Sequence, residues 1–206
     1  MSLQKAGKIV IISSPSGGGK TSICRRLLEL NDNQNWHFSV SYTTRAMRSG
    51  EKNHREYHFV DDDTFERLSN QGKFAEVCRV HLYQYGTPRE PIEEVLHQGG
   101  VILLDIDVQG TVKIKDAYPE AVSIFILPPS VDELCKRLMA RGTETEEQLK
   151  IRRDNAAKEM YLWKNFDYVV INDEFDVAIN EVQGIITGHY CRTDVVNEKQ
   201  ILKIIG

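Results

Sequence analysis

The sequence is poor in cysteine, in net charge and in long apolar stretches, and each shortage excludes a class of protein. Its four cysteines form no Cys-x-x-Cys pair, which argues against a zinc site or a disulfide framework and favours a reducing, cytoplasmic location. The formal net charge of −4 gives no overall attraction to nucleic acid or to an anionic membrane. No apolar run reaches the roughly 18 residues of a membrane-spanning helix, and the run after Lys8 is too short for a signal peptide. We therefore expect a globular protein with no nucleic-acid or membrane partner.

The pattern of apolar residues predicts an α/β fold. The chain has 206 residues, of which 41% are hydrophobic and 27% charged, which suits one domain with insertions or two small domains. Amphipathic helical patterns follow residue 20 and recur near 108–117, 131–141, 146–164 and 176–189, and they alternate with apolar runs of strand length. Such alternation favours a parallel sheet with helices on both faces. The predicted buried strands are Lys8–Ser13, Val101–Asp105, Val122–Leu127 and Tyr168–Ile171.

The block from 36 to 99 has a different pattern. It mixes short alternating stretches, such as 37–41 and 74–80, with polar turns and one short helix near 63–70. We expect a partly antiparallel, mixed α/β subdomain over 36–99, inserted into a core made of 1–35 and 100–206. The acidic stretch 142–147 interrupts two helical patterns, which predicts a mobile flap in a helical lid at about 137–156.

The most specific motif is a phosphate-binding loop at residues 14–21, placed between a strand and a helix. Its glycines let backbone N–H groups cradle phosphate oxygens, and the helix adds its positive end. Lys20 would neutralise the β- and γ-phosphates of ATP, and the Thr21 hydroxyl would coordinate Mg²⁺. Ser14 replaces the first glycine of the motif, which a negative φ would tolerate. A flexible linker is the alternative, but a linker has no need of Lys-Thr behind a buried strand. The predicted ATP-binding residues here are Ser14, Pro15, Ser16, Gly17, Gly18, Gly19, Lys20 and Thr21.

A second group of residues suits another phosphate. Arg45 and Arg48 lie near hydroxyl side chains and Tyr57, and guanidinium groups form forked bonds to phosphate. Alone, these arginines would fit a solvated loop; beside a phosphate-binding loop they suit a phosphoryl acceptor. Asp105 ends a buried strand, where it could hold Mg²⁺ through water or simply form a turn.

Together, these motifs resemble the guanylate kinase family. The phosphate-binding loop, the string Ser39–Glu51, the segment Leu104–Gly110 and the segment Arg141–Glu146 stand in the family's order and spacing. The resemblance implies an ATP:GMP phosphotransferase of purine nucleotide metabolism, with a P-loop core and Mg²⁺ bound alongside ATP. It implies GMP, and dGMP with it, as the acceptor.

The resemblance also assigns the acceptor site. The guanine base would lie near Ser41, and its edge would be read by Glu76, Thr87 and Asp107. A carboxylate can accept hydrogen bonds from guanine N1–H and N2–H₂, a pair that adenine lacks on this edge. From the residues alone, Glu76 could equally be a solvated acid on an edge strand. The GMP phosphate would be bound by Arg45, Arg48, Tyr57 and Tyr85.

The remaining assignments concern the lid and the adenine. The resemblance implies that Arg137, Arg141 and Arg152 join Lys20 and Arg45 in stabilising the transferred charge, although the neighbouring Arg153 leaves the choice open. Any charged helix can show this spacing on a solvated face. Asn172 follows the last strand and would contact the adenine.

One residue departs from the family's pattern. His54 stands where the family commonly has glycine, so a positive φ there would affect the geometry at Tyr57.

Two alternative functions can be compared with the sequence. An inactive guanylate kinase-like binding module would typically lack the phosphate-binding loop that is present here. A P-loop kinase for another phosphorylated acceptor would not need Glu76 and Asp107.

Overall fold

The computed structural model describes residues 6–15, 17–31, 35–80, 82–139 and 158–192. Several predicted features lie outside these ranges, namely Ser16, Arg141, Arg152, the acidic stretch 142–147 and most of the predicted lid. The tail after 192 also lies outside them. In the part of the chain that is described, no helix combines the length and apolar content needed to cross a membrane.

Strands and short helices alternate along the chain. The strands are β1 (Lys8–Ser13), β2 (Trp36–Phe38), β3 (Tyr42–Thr43), β4 (His58–Phe59), β5 (Phe74–Val80), β6 (Tyr83–Pro88), β7 (Val101–Asp105), β8 (Val122–Leu127) and β9 (Tyr168–Ile171). The α-helices are α1 (Lys20–Leu30), α2 (Asp62–Asn70), α3 (Arg89–His97), α4 (Val108–Ala117), α5 (Val131–Met139) and α6 (Phe175–His189), and a 3₁₀ helix covers Tyr161–Asn165.

The main sheet is parallel and has helices on both faces, which confirms the predicted fold class. Its five strands run in the order β2-β7-β1-β8-β9. The four strands predicted from apolar runs have the predicted bounds, but the predicted burial is wrong for β9, an edge strand in which Val169 and Ile171 are exposed. Within β1, Val10 and Ile12 pack in one apolar cluster with α1 and α6, while Ile9 and Ile11 pack in a second cluster with α3 and α4. All carboxyl ends therefore meet at one edge, where parallel α/β sheets place their ligands.

A second sheet is built from the middle of the chain, in the order β4-β3-β6-β5. β3 pairs with β4 in parallel, whereas β6 is antiparallel to both β3 and β5. Helix α2 covers this sheet, and the ring of Phe65 stacks on that of Phe74 with centroids 4.9 Å apart. The partly antiparallel character expected for this region is therefore present.

The sheet pairing differs from the sequence-based expectation at both ends of the inserted block. β2 is an edge strand of the main sheet, because Trp36, His37 and Phe38 pair in parallel with β7. Helix α3 packs on the main sheet through Ile92 and Val95. A three-residue edge strand carries too short a pattern to reveal which sheet it joins. We propose that the inserted unit is 42–88, shorter than the expected 36–99.

Candidate active site

The carboxyl edge of the main sheet opens into a cavity of about 520 Å³ that is shared with the inserted unit. The predicted site residues that line it are Ser14, Gly17, Gly19, Lys20, Thr21, Ser41, Arg45, Arg48, Tyr57, Tyr85 and Asp105. The structure therefore brings the two predicted phosphate sites to one cavity. The same wall contains Arg25, Ser39, Glu51 and Glu56, to which the sequence assigned no role.

The phosphate-binding loop needs its glycines. Gly17 and Gly19 have φ values of 92° and 99°, in the left-handed region that favours glycine. Gly18 donates its N–H to the Pro15 carbonyl at 2.9 Å, and a Cβ on Gly18 would lie 2.7 Å from the Ser14 Cβ. Ser14 itself does not have a positive φ, so the replaced glycine costs no backbone strain. Its side chain fills the space beside Gly18 instead.

Asp105 joins the two functional side chains at the start of α1. The Thr21 hydroxyl donates to Asp105 Oδ2 at 2.5 Å, and Lys20 Nζ lies 3.5 Å from Asp105 Oδ1. The negative charge of Asp105 raises the pKa of Lys20 against the opposing effect of burial, so the ammonium stays charged. A hydroxyl beside a carboxylate is a donor set that suits Mg²⁺, which prefers oxygen ligands.

On the side of the cavity that is predicted to bind the acceptor, Glu51 holds Arg45 in place. Arg45 Nη1 and Nη2 donate to the two Glu51 oxygens at 3.0 and 2.8 Å, and the Arg48 N–H donates to the same carboxylate at 2.7 Å. Burial opposes the ionised form of Glu51, but these bonds outweigh it and lower the pKa of Glu51. The sequence did not reveal this role, because a loop contact six residues apart has no periodicity. Its only signal was the place of Glu51 in the string that starts at Ser39.

Two tyrosines complete this acceptor side. The rings of Tyr57 and Tyr85 meet edge to face with centroids 5.8 Å apart, and the Arg45 guanidinium lies 5.6 Å from the Tyr57 ring. Burial, with a further contribution from Asp105, raises the pKa of Tyr57 to about 12. The Tyr57 hydroxyl is therefore neutral and able to donate a hydrogen bond. Tyr57 and Asp105 line the same cavity, so residues of the inserted unit and of the main sheet face a common space.

The predicted guanine-reading residues are not among those that line this cavity. The Thr87 hydroxyl donates to Glu76 Oε1 at 2.6 Å, across the pairing of β5 with β6. A register shift between Phe74 and Glu76 sets this pairing, and such irregularities re-aim side chains. Asp107 caps α4 by accepting the Gly110 N–H at 2.8 Å, and its charge acts on Glu76.

One carboxylate oxygen of Glu76 lacks a hydrogen-bond partner among the described residues. The residue is 6% exposed, and its Oε2 atom accepts no hydrogen bond of ordinary geometry within the described ranges. Burial raises the pKa of Glu76, and the nearby Asp107 adds to this effect, while Thr87 and the Cys78 thiol oppose it. A buried acceptor without a partner is costly, so a ligand that donates here would be favoured.

Asn172 and Arg137 connect the far strand and α5 to the phosphate-binding loop. The buried Asn172 amide donates to the Gly18 carbonyl at 3.1 Å, and a Cβ on Gly19 would lie 2.7 Å from its Nδ2. Arg137 Nη2 donates to the Asn172 carbonyl at 3.0 Å. The side chain of Asn172 thus holds the loop backbone, and its contact with adenine stays a prediction.

The departure at His54 has the anticipated geometry. His54 has a φ of 66°, and its N–H donates to the Tyr57 carbonyl at 2.8 Å. Its Nδ1 lies 2.7 Å from the Nδ1 of His58, whose ring stacks on Tyr42. The turn before Tyr57 therefore does require a left-handed residue, and histidine adopts that conformation here.

Comparisons with known proteins agree with this geometry. A family model described as "Guanylate kinase" matches residues 6–189. A guanylate kinase of Caldanaerobacter subterraneus is 41% identical over 99% of this chain and 98% of its own length. One from Zymomonas mobilis is 44% identical over 90% of this chain and 85% of its own length. The crystal structure of guanylate kinase from Anaplasma phagocytophilum matches this chain with a TM-score of 0.81 and 34% sequence identity. The match covers 98% of this chain and 95% of the Anaplasma chain. This chain therefore belongs to the guanylate kinase family.

Proposed function

We propose that this enzyme transfers the γ-phosphoryl group of ATP to GMP, giving ADP and GDP. The observation that carries the proposal is the single cavity lined both by the phosphate-binding loop and by the Arg45 cluster. Family membership makes the chain a nucleotide phosphotransferase, and the shared cavity fits a donor and an acceptor that react directly. Enclosing both nucleotides there would keep water from the phosphoryl group.

The donor half would bind ATP with Mg²⁺. The loop from Ser14 to Gly19 would cradle the phosphates, and Lys20, held charged by Asp105, would neutralise them. Thr21 would hold the metal directly and Asp105 would hold it through water, as their adjacent oxygens allow. When bound, Mg²⁺ would offset negative charge on the β- and γ-phosphates. Arg137 would act on the same phosphates from α5, and the roles of Arg141 and Arg152 remain predictions outside the described ranges.

The acceptor half would bind the GMP phosphate through Arg45, Arg48, Tyr57 and Tyr85. Because this phosphate is already ionised, no residue has to act as a strong base. Catalysis would instead come from alignment of the reacting oxygens and from preorganised positive charge. Glu51 supports both effects, since it fixes the Arg45 guanidinium before the substrate arrives.

Specificity for guanine would come from Glu76 and its neighbours Thr87 and Asp107, with Ser41 beside the base. Glu76, Thr87 and Asp107 are close enough to act as one acceptor surface. Guanine would give Glu76 Oε2 the donor that it lacks, whereas adenine would leave this oxygen unpaired. We extend the proposal to dGMP, which carries the same base, and to a cytoplasmic location, which suits four free cysteines.

The test is a coupled assay of ADP release with ATP and Mg²⁺, comparing GMP, AMP, CMP and UMP as acceptors. We expect turnover with GMP, and loss of that turnover in Lys20→Ala. Lys73→Ala, which removes the same charge from an exposed turn of the inserted unit, is the matched control and should stay active.

Two results would contradict parts of the proposal. Efficient turnover of a different acceptor would overturn the roles of Glu76 and Asp107 while leaving the donor half intact. A folded protein that binds GMP without any turnover would favour the binding-module alternative.

A further inference from the structure

We infer that an ion pair between Arg25 and Glu56 positions the acceptor loop against α1, and so sets the spacing of the two phosphate sites. This inference rests on the proposed function. Arg25 belongs to the core and Glu56 to the inserted unit, and both line the shared cavity. Neither residue belongs to the phosphate-binding or guanine-reading groups described above.

The contact is short, and one partner is already fixed. Arg25 Nη2 donates to Glu56 Oε1 at 2.7 Å. The same carboxylate accepts from Arg55 Nε at 2.6 Å and from the Lys52 N–H at 2.8 Å. The Glu56 side chain is only 12% exposed, and residues of its own loop hold its carboxylate in place. The bond from Arg25 therefore connects α1 to the whole loop and not to one mobile side chain.

Each partner lies next to a residue that would contact a phosphate. Arg25 is on the helix that begins with Lys20, and a helix transmits position rigidly over the roughly 7.5 Å that five residues span. Glu56 directly precedes Tyr57, which is placed at the acceptor phosphate. A restraint between Arg25 and Glu56 therefore acts on the distance between Lys20 and Tyr57. Reaction rates depend steeply on such alignment.

Two other side-chain contacts between the two units lie elsewhere. Lys113 of α4 donates to the Val77 carbonyl of β5, and Arg89 of α3 donates to the Phe74 carbonyl at 3.2 Å. Both involve β5, on the side of Glu76. Within the described ranges, Arg25 and Glu56 form the one ion pair that links the core to 42–88. The acceptor loop thus has its own ionic restraint.

Exposure limits the size of the effect. The Arg25 side chain is 57% exposed, so water and salt screen the pair. Exposed ion pairs contribute little, so we expect a change in rate of no more than about fivefold. We expect the restraint to act on GMP and to leave ATP binding unchanged, because the phosphate-binding loop does not depend on it.

The test is a double-mutant cycle with Arg25→Gln and Glu56→Gln. Each single variant should raise KM for GMP and lower kcat/KM for GMP, by about two- to fivefold in kcat/KM. KM for ATP and the melting temperature should stay unchanged. The double variant should be no worse than the more impaired single variant, because the interaction can be lost only once.

Arg26→Gln is the matched control. It removes the same charge from the next residue of α1, where Arg26 pairs with Glu29 of its own helix at 3.1 Å. It should leave both KM values unchanged, and 0.5 M salt should slow the wild type more than the double variant. Additive losses, or losses equal to those of Arg26→Gln, would overturn the inference. An inactive wild type would instead contradict the proposed function, so the two failures are distinguishable.

Discussion

Two carboxylates of the inserted unit differ in pKa because their surroundings differ. Glu51 faces Arg45 and the Arg48 N–H, which lower its pKa in spite of burial. Glu76 is buried beside another negative charge, and its pKa is raised. As the pH falls, Glu76 therefore binds a proton before Glu51 does. Glu51 would remain ionised and keep Arg45 in place.

Under the proposed assignment, Glu76 has to be ionised to accept hydrogen bonds from the donors on the guanine edge. As the pH falls through the raised pKa of Glu76, kcat/KM for GMP should fall too, at a higher pH than an ordinary glutamate would cause. Glu76→Gln should lower kcat/KM at neutral pH by about tenfold to a hundredfold, the range for a hydrogen bond to a charged group. The remaining kcat/KM of Glu76→Gln should no longer fall over this pH range.

The control for this profile is Glu66→Gln, which removes an exposed carboxylate from α2 in the same unit. It should retain the wild-type pH profile. An unchanged acid limb in Glu76→Gln would mean that another group titrates, and the assignment of Glu76 to guanine would lose its support.

Among the elements, the turn from Asn53 to His58 joins backbone geometry to the acceptor site. The left-handed His54 aims the chain so that Tyr57 faces the cavity, and the Asn53 side chain accepts the Phe59 N–H at 2.9 Å. The His54 and His58 rings meet through their Nδ1 atoms at 2.7 Å, where only one proton can be shared. Protonation of both rings would place two donors against each other.

From the contacts of His58 in this turn, we predict that the stability of the protein falls at acidic pH. Burial and the neighbouring His54 lower the pKa of His58, so the unfolded chain binds this proton more readily than the native one. Stability is therefore retained above the unfolded pKa of about 6.5 and is lost as the pH falls below it. Between pH 7.5 and 5.5 the melting temperature should fall further in the wild type than in His58→Phe, which keeps an aromatic ring against Tyr42.

His97→Phe provides the comparison, because His97 is exposed at the end of α3. It should lose as much stability on acidification as the wild type does. Equal losses in His58→Phe and the wild type would exclude His58 as the source.

The elements also show what the sequence can and cannot predict. Long apolar runs predicted β1, β7, β8 and β9 to the residue. For the first three the reason is burial on both faces, which leaves an unbroken apolar pattern, whereas β9 is an edge strand that exposes Val169 and Ile171. β2 pairs over only three residues, so its sheet could not be identified. In the site, the phosphate-binding loop is local in sequence and could be found. The partnership of Arg25 with Glu56 exists only after folding, since it joins residues from separate units.

At the scale of the whole molecule, the two units differ in how much structure supports them. The main sheet has two apolar clusters, one on each face. The inserted unit contains β3 and β4 with two residues each, and it relies on a small aromatic group around Phe65 and Phe74. Segments with few buried contacts open locally at low free-energy cost. We therefore expect the proposed acceptor site to lie on the less stable unit and the proposed donor site on the more stable one.

Hydrogen exchange should reveal this asymmetry. In the free enzyme, amides of β3 and β4 should exchange faster than those of β1 and β7. GMP at about a hundred times its dissociation constant should slow exchange across 42–60 by up to about a hundredfold, because it stabilises the state that it binds. ATP with Mg²⁺ should protect the start of α1 instead, and Lys20→Ala should abolish that protection while leaving the effect of GMP intact. If GMP protected only β1 and β7, the acceptor would bind to the main sheet and not to the inserted unit. That result would contradict the proposed division of the cavity.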